Sequence, residues 1–412
     1  MTPEKARHDR RADSDPLFLV LNCGSSSIKF ALFDAGRGLP SSRPVWSGKV
    51  QGIGGAHPVF EETGVAPQGL ELRAADPYHH ALAIIRQRVT ARLGTRRIVG
   101  VGHRVVHGGS RYFAPIRVTP PCLSDLQSYI PLAPLHQPFA LDAIETLLAV
   151  DPGMPQVACF DTAFHHTLAP EEQVLPLPYR YFQQGVRRYG FHGLSYDYLS
   201  HVLPDRHGDL ASGRVIIAHL GSGASLCALS QGKSVATSMG FSALDGLMMG
   251  TRTGSLDPGV VLYLLETEKM SPADLGRLLY HDSGLAGVSG LSAEPRVLLA
   301  AEQRTDQQGE QARLAMALYV RRIVREIGAL AAVLGGLDLL VFTAGVGEHS
   351  APVRARVVNA LEFLGMTLDA AANQTNAPVI STAAGRVRVA VEPTNEEWII
   401  ALHMHELLAV TS

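Results

Sequence analysis

Apolar positions along this chain fall into two kinds of run. Short apolar blocks that stop at glycine, serine or proline read as buried strands: Leu17–Leu21, Ile28–Phe33, Ile98–Val101, Val157–Phe160, Val215–Ala218, Leu226–Leu229 and Leu339–Thr343. Between them lie segments with helical spacing. The clearest sets Leu314, Leu318, Ile323, Ile327, Leu330 and Leu334 on one face and stops at Gly335-Gly336. Such alternation predicts an α/β architecture with mostly buried sheets. The most apolar long stretch, Ile327 to Gly345, is broken by the glycine pair and Asp338, which predicts a helix and then a strand rather than a membrane span.

One small pattern occurs twice. L19-V-L-N-C-G-S-S-S-I-K-F-A-L-F33 runs apolar, polar, apolar, and V215-I-I-A-H-L-G-S-G-A-S-L-C-A-L229 repeats the punctuation. Placing Gly24 on Gly221 sets Ser25 on Ser222, Ser27 on Ala224, Phe30 on Cys227 and Ala31 on Ala228. The repeat predicts two similarly built halves, with a boundary near positions 150–170. Backbone N–H groups of a Gly/Ser turn can converge on one anion, and Lys29 adds a full charge. A polar-tipped hairpin without a ligand is the plain alternative for a single copy. A Walker loop is excluded, because G-x-x-x-x-G-K-[ST] is absent and a strand follows the turn. A third glycine-rich element, F342-T-A-G-V-G-E348, follows a predicted strand, where α/β sheets place ligands.

Bulk composition narrows the partners. The 412 residues exceed one ordinary core, so two domains are expected. A net charge of −2 gives no general reason to bind nucleic acid or anionic membrane. The densest basic segment, Arg86 to Arg97, reads as a solvated helix face. Cys23, Cys122, Cys159 and Cys227 share no regular spacing, which fits reduced thiols in the cytoplasm rather than a disulfide frame. Residues 1–16 carry no apolar core and are expected to form a disordered tail, not a secretory signal. Pro131 to Pro138 is too apolar for a free linker and is expected to be an ordered loop.

With these turns in place, the order of motifs resembles the acetate kinase family, within the actin/hexokinase/Hsp70-like ATPase superfamily. The resemblance runs from about Phe18 to Ala401 through N22-C-G-S-S-S-I-K29, G102-H-R-V-V-H-G-G109, PLAPLH at Pro131 to His136, F160-D-T-A-F-H165 and Y189-G-F-H-G193. It continues through A218-H-L-G-S-G-A-S225, M248-M-G-T-R252, F342-T-A-G-V-G-E348 and PTNEE at Pro393 to Glu397. It implies two duplicated ribonuclease-H-like (actin-like ATPase) domains with an active-site cleft between them. Residues 17–165 with 397–412 would form the acyl and phosphate side, and 166–396 the nucleotide-binding side. It further implies reversible transfer of the ATP γ-phosphoryl group to acetate, giving acetyl phosphate and ADP, with Mg2+ or Mn2+, in a cytoplasmic homodimer.

The family's residue roles carry over position by position. Arg104 and Arg252 match the two active-site arginines, whose planar forks suit carboxylate and phosphoryl oxygens. His192 matches the histidine that contacts the phosphoryl group, and Asp161 the catalytic carboxylate. Seen alone, Arg104 would read as a surface salt bridge, His192 as structural and Asp161 as a helix cap. Asn22 and Glu396 match the magnesium-associated positions, since a hard cation takes oxygen ligands. Val106, Leu135 and Phe191 match the acyl pocket. Lys29, Ser25, Ser27, His219, Leu220, Gly221, Ser222, Gly223, Glu294, Pro295, Arg296, Gly345, Val346, Gly347, Glu348 and His349 match nucleotide-binding positions. The pair His165-His166 lacks a third ligand at zinc spacing.

Four departures from the family pattern bear on preference rather than on the chemistry. Ser222 and His349 stand where asparagine is usual, Glu294-Pro295-Arg296 where Asp-Phe-Arg is usual, and Ala243 where proline is frequent. A lost proline widens the acyl pocket, so propionate is the alternative substrate. Two other classes share the fold: an actin- or Hsp70-like ATPase and a phosphoanhydride hydrolase. Neither has use for two arginines and a histidine directed at a small carboxylate.

Overall fold

The computed structural model describes residues 15–36 and 38–409. The expected tail lies outside the described residues as far as position 14, and Pro16, assigned to it, already opens the first strand. The chain divides into two compact units, one comprising the chain up to Ala163 together with the chain from Asn395 onward, the other Phe164–Thr394.

In the first unit the strands are β1 (Pro16–Cys23), β2 (Ser27–Asp34), β3 (Trp46–Gln51), β4 (Val59–Glu62), β5 (Gln68–Gly69), β6 (Arg97–Val105), β7 (Ile116–Arg117) and β8 (Gln156–Phe160). They form one sheet in the order β5-β4-β3-β2-β1-β6-β8-β7. The second unit contains β9 (Arg214–Leu220), β10 (Ala224–Ser230), β11 (Lys233–Thr237), β12 (Leu339–Thr343) and β13 (Arg388–Val391), in the order β11-β10-β9-β12-β13. Every strand read from an apolar block is present, and the α/β class holds. The duplication extends well beyond the hairpins. β3-β2-β1-β6-β8 and β11-β10-β9-β12-β13 share the sequence antiparallel, antiparallel, parallel, parallel.

The repeat is offset by one residue after the turn. In the first hairpin Leu21 pairs with Phe30, whereas in the second Ala218 pairs with Leu226. Phe30 therefore corresponds to Leu226 and not to Cys227, which corrects the alignment drawn on the glycines. The cause is turn length: Cys23 pairs with Ile28 across Gly24–Ser27, while Leu220 pairs with Ala224 across Gly221–Gly223.

The long helix Gln307–Leu334 ends, as expected, at Gly335, whose φ of 70° is left-handed and therefore suits glycine. Its N-terminus is capped by the Asp306 side chain, which accepts from Gly309 N. The buried face consists of Ala312, Ala315, Met316, Tyr319, Ile323, Ile327, Leu330 and Ala331. Leu314, expected on that face, is 61% exposed. Leu314 therefore falls on the solvent side of the helix, outside the buried stripe. Each large apolar side chain on the buried face stabilises by roughly 1.5–3 kcal/mol.

The basic segment is helical from Pro77 to Leu93, and Arg97 starts β6. Its arginines are not only solvated: Arg88 lies 4.1 Å over the Phe60 ring and Arg92 4.8 Å over the Trp46 ring. Pro131–Pro138 is ordered, running from a 3-10 turn at Ile130–Leu132 into the helix Gln137–Val150. All four cysteines are buried thiols in no disulfide. Among the described residues no helix is long and apolar enough to cross a membrane.

Candidate active site

Three adjacent parallel strand ends of the first unit carry polar side chains. Asn22 lies on β1, Arg104 on β6, and Asp161 directly after β8. Arg104 Nε donates to Asp161 Oδ1 at 2.9 Å and Nη2 to Oδ2 at 2.6 Å, a two-point fork. The third nitrogen, Nη1, donates to Asn22 Oδ1 at 3.3 Å and lies 3.4 Å from Glu396 Oε2, in the first turn of the helix Glu396–Ala409. The Asp161 side chain is 2% exposed, so this is an inner ion pair and neither a surface bridge nor a helix cap. Burial, the largest influence, pushes the Asp161 carboxyl above its ordinary range, and the Arg104 charge and hydrogen bonds oppose it. A fork from a guanidinium that does not lose its proton favours the carboxylate form.

Among the described residues no three His, Cys, Asp or Glu side chains cluster as a metal centre. Asn22 Oδ1 and Glu396 Oε2 both face Arg104 Nη1, so two oxygen donors lie close together there. That donor chemistry fits a hard divalent cation that keeps much of its shell in water and phosphate oxygens. Lys29 faces Asn22 across β1–β2 and Lys49 across β2–β3. With Lys49, Glu61 and Glu397 it lines a cavity of about 440 Å³. Val106, just beyond β6, and Leu135, between the 3-10 turn and the following helix, are half-buried.

In the second unit the turn Gly221–Gly223 joins β9 to β10, with His192 and Arg252 beside it. A Cβ at Gly223 would sit 3.3 Å from His192 Nε2 and 3.7 Å from Arg252 Nη1. Glycine is needed here for close approach. Neither Gly24, Gly221 nor Gly223 has a positive φ. The expected anion cradles also spend part of their donors internally: Gly24 N–H bonds Ser27 O at 2.8 Å, and Gly221 N–H bonds Gly223 O at 3.0 Å. Ser25 is exposed and Ser27 half-buried.

His192 caps the helix Gly193–His207 in a left-handed conformation, φ 58°, unusual for a residue with a Cβ. Its Nδ1 is 2.8 Å from Ser225 Oγ, and its ring stacks on His219 with centroids 4.2 Å apart. Arg252 Nη1 donates to the Ala243 carbonyl at 3.0 Å, and burial pulls its pKa below the ordinary arginine value. Phe191 is 2% exposed, so its ring backs the site from inside the core instead of lining an open pocket. Its carbonyl accepts from His165 Nε2 at 3.0 Å, and His165 Nδ1 is 2.9 Å from Ser234 Oγ. Both ring nitrogens of His165 are thereby engaged, and a zinc role has no support.

The remaining nucleotide candidates divide. Ser222 O accepts from Gly250 N at 3.4 Å, and a Cβ at Gly250 would lie 3.3 Å from the Ala293 Cβ, so Glu294-Pro295-Arg296 follows directly on a neighbour of the turn. Glu294 caps the helix Pro295–Ala301, Pro295 is buried, and the Arg296 side chain is 91% exposed. Gly345, Val346 and Gly347 belong to the short helix Ala344–His349 after β12. Glu348 is occupied structurally: its Oε1 accepts from Ala344 N at 2.8 Å and Thr394 N at 3.2 Å. Glu348 and His349 line a cavity of about 590 Å³ with Arg206, Glu392 and Pro393. Leu220 is fully buried at the end of β9.

Two residues of this region were not singled out from the sequence. Ser225 and Tyr196 contact His192 or each other, although Ser225 stands in a quoted motif. Their hydroxyls are ordinary in type, and only the fold brings them to the imidazole.

Comparison with known proteins adds relatives to this geometry. A profile of the acetokinase family matches residues 17–402. The chain is 46% identical over 396 residues to the acetate kinase of Rhodopseudomonas palustris, spanning 95% of this chain and 98% of that one. Among solved structures it is similar to Porphyromonas gingivalis acetate kinase, with a TM-score of 0.84 and 36% identity over 96% of this chain and 100% of that one. It is also similar to a propionate kinase from Francisella tularensis, with a TM-score of 0.87 and 33% identity over 95% and 100% of the two chains.

Proposed function

Because the chain belongs to the acetokinase family, we propose that it transfers the ATP γ-phosphoryl group reversibly to acetate. In the forward direction a carboxylate oxygen of acetate attacks the γ-phosphorus. The bond from that phosphorus to the β,γ-bridging oxygen breaks, and its electron pair leaves with ADP. Little covalent work is asked of the protein; positioning and charge neutralisation do most of it.

The observation that supports this reading is that each unit by itself gathers side chains suited to a small anionic substrate. Arg104, forked on Asp161, turns Nη1 toward Asn22 and Glu396. His192 Nε2 and Arg252 Nη1 border a turn where a Cβ on Gly223 would sit 3.3 Å and 3.7 Å from them. Asp161 and Arg104 orient the acetate. Arg252 neutralises charge on the phosphoryl oxygens, and His192 donates a hydrogen bond to one of them. Asn22 and Glu396 would hold Mg2+, which would offset phosphate charge, and Mn2+ would suit the same oxygen donors. Val106 and Leu135 wall the methyl group, backed by Phe191. Lys29, Ser25, Ser27 and the His219–Gly223 segment hold phosphates, with Glu294–Arg296, Gly345–Gly347 and His349 toward the nucleoside. The domain roles follow, residues 17–165 with 397–412 binding the acyl group and 166–396 the nucleotide.

Four buried thiols favour a cytoplasmic setting. A homodimer is supported by the helix Pro258–Glu266, PGVVLYLLE, which buries none of its residues and leaves Leu262 55% and Tyr263 53% exposed. A second copy of this chain covers that helix.

The test is to incubate pure protein with Mg-ATP and acetate, propionate or butyrate and trap any acyl phosphate as hydroxamate. No hydroxamate with any acid ends the kinase reading. Preference for propionate is the second reading, favoured by Ala243 where family members frequently have proline; a higher kcat/KM for propionate than for acetate decides for it.

A further inference from the structure

Two short chains of hydroxyl groups end on the stacked imidazoles of the second unit. Ser225 Oγ lies 2.8 Å from His192 Nδ1 and also hydrogen-bonds the Tyr196 hydroxyl. In parallel, Ser195 Oγ lies 2.9 Å from His219 Nδ1 and 2.8 Å from Thr394 Oγ1. The two Nε2 atoms face the glycine turn: His192 Nε2 is 3.3 Å from a Cβ position on Gly223, and His219 Nε2 is 3.7 Å from one on Gly221.

A proton count sets the direction of the first chain. Tyr196 is fully buried, and among the described residues Ser225 Oγ is its hydroxyl's hydrogen-bond partner. Burial holds the phenol well above its ordinary pKa, so the O–H keeps its proton. A buried hydroxyl left without an acceptor loses the hydrogen bond it had in water, so it donates to Ser225. The Ser225 proton then goes to its other partner, His192 Nδ1. An imidazole that accepts at Nδ1 and stays neutral carries its proton on Nε2.

We infer that Ser225, anchored by Tyr196, is a positioning residue that keeps His192 neutral and Nε2-protonated, presenting an N–H donor at the Gly221–Gly223 turn. The inference rests on the phosphoryl-transfer role proposed above for His192. Stacking on His219 at 4.2 Å agrees with it, because two imidazolium charges at that separation repel. The left-handed backbone at residue 192, φ 58°, aims the ring from the head of its helix, and the serine removes the remaining choice of tautomer.

The experiment is 15N NMR of histidine-labelled full-length protein, with the His192 signals assigned by their loss in His192→Asn. Long-range proton–nitrogen correlations distinguish the tautomers. The expected wild-type pattern is the Nε2–H form, and an Nδ1–H form overturns the inference. Ser225→Ala is expected to mix the tautomers and lower kcat by ~10-fold to ~100-fold, the scale for removing an orienting partner, with KM for ATP and acetate within about twofold. Ser225→Thr keeps a hydroxyl and restores both. Unchanged kcat and tautomer in a folded Ser225→Ala protein refute the assignment. Should that variant not fold, Tyr196→Phe and the wild-type spectrum decide. Failure of wild-type protein to make hydroxamate strikes the kinase reading alone, because the tautomer is read without turnover.

Discussion

Arg252 and Ala243 are tied through one hydrogen bond, from Arg252 Nη1 to the Ala243 carbonyl oxygen at 3.0 Å. The residue that departs from the family pattern thus holds the arginine proposed to grip the phosphoryl group. A proline at 243 keeps its carbonyl, so Ala243→Pro leaves Arg252 anchored and alters only the bulk beside it. The kcat/KM for propionate relative to acetate is expected to fall by ~5-fold, below the ~10-fold to ~200-fold that one methylene can command in a pocket. An unchanged ratio removes Ala243 from the acyl pocket.

The two arginines separate by what each leaves behind. Arg252→Ala is expected to cut turnover by ~10³-fold or more, the scale for an arginine stabilising phosphoryl transfer, with little change in urea midpoint. Arg104→Ala is expected to remove the arginine proposed to orient acetate and also to strand the Asp161 carboxylate, whose side chain is 2% exposed. An unpaired buried charge costs about 3–5 kcal/mol, so this variant unfolds at markedly lower urea. Equal midpoints for the two variants contradict the inner ion pair.

Gly223→Ala tests the close approach at the turn. The added methyl lands 3.3 Å from His192 Nε2, tighter than ordinary contact, so the ring or the turn must shift by tenths of an ångström. A displacement of tenths of an ångström is expected to lower kcat by less than the ~10²-fold of a ~1 Å misplacement, by about 10-fold, while the fold persists, as near-ultraviolet circular dichroism and turnover together report.

Stability should fall on the acid side because of buried histidines. His103, His107 and His165 each sit at about 4, lowered from 6.5 by burial. Above 6.5 both folded and unfolded states are neutral at these sites. Between 6.5 and 4 the unfolded chain binds protons that the folded chain refuses, so stability is lost as pH falls through that window. Near pH 5 each histidine costs about 2 kcal/mol. His103 Nε2 bonds Gln156 Oε1 at 2.6 Å and among the described residues its Nδ1 has no partner, so a second proton there finds no acceptor. Replacing His103 by Gln is expected to flatten the pH dependence of the urea midpoint; an identical slope argues against a neutral buried ring.

If the chain dimerises through the helix Pro258–Glu266 as proposed, Leu262→Glu gives monomers in light scattering at micromolar concentration, without loss of helix content. A wild-type monomer at the same concentration ends the dimer reading.

Much of the architecture was legible because a strand buried on both faces is written as a continuous apolar block, as in β9, β10 and β12. Trp46–Gln51 escaped notice since only Trp46 and Val50 of WSGKVQ are buried, which is neither a block nor an alternation. β11 and β13 are short and partly polar, and they become strands by pairing with β10 and β12. At the site, the motifs pointed to the strand ends and the turns. What they do not carry is contact: Ser225 meets His192 across 33 residues of chain, and Glu348, read as a nucleotide contact, turns back to Ala344 N and Thr394 N. The one-residue offset between the hairpins was likewise hidden, because glycine marks where a turn begins and not how long it runs.

The φ of 58° at His192 has an evolutionary side. At this position durability and turnover ask for different amino acids: glycine or asparagine occupies such a backbone at least cost, and neither supplies an imidazole. Populations drifting under selection for robustness alone would therefore shed the ring first. Its persistence in any descendant is a record of demand for the chemistry.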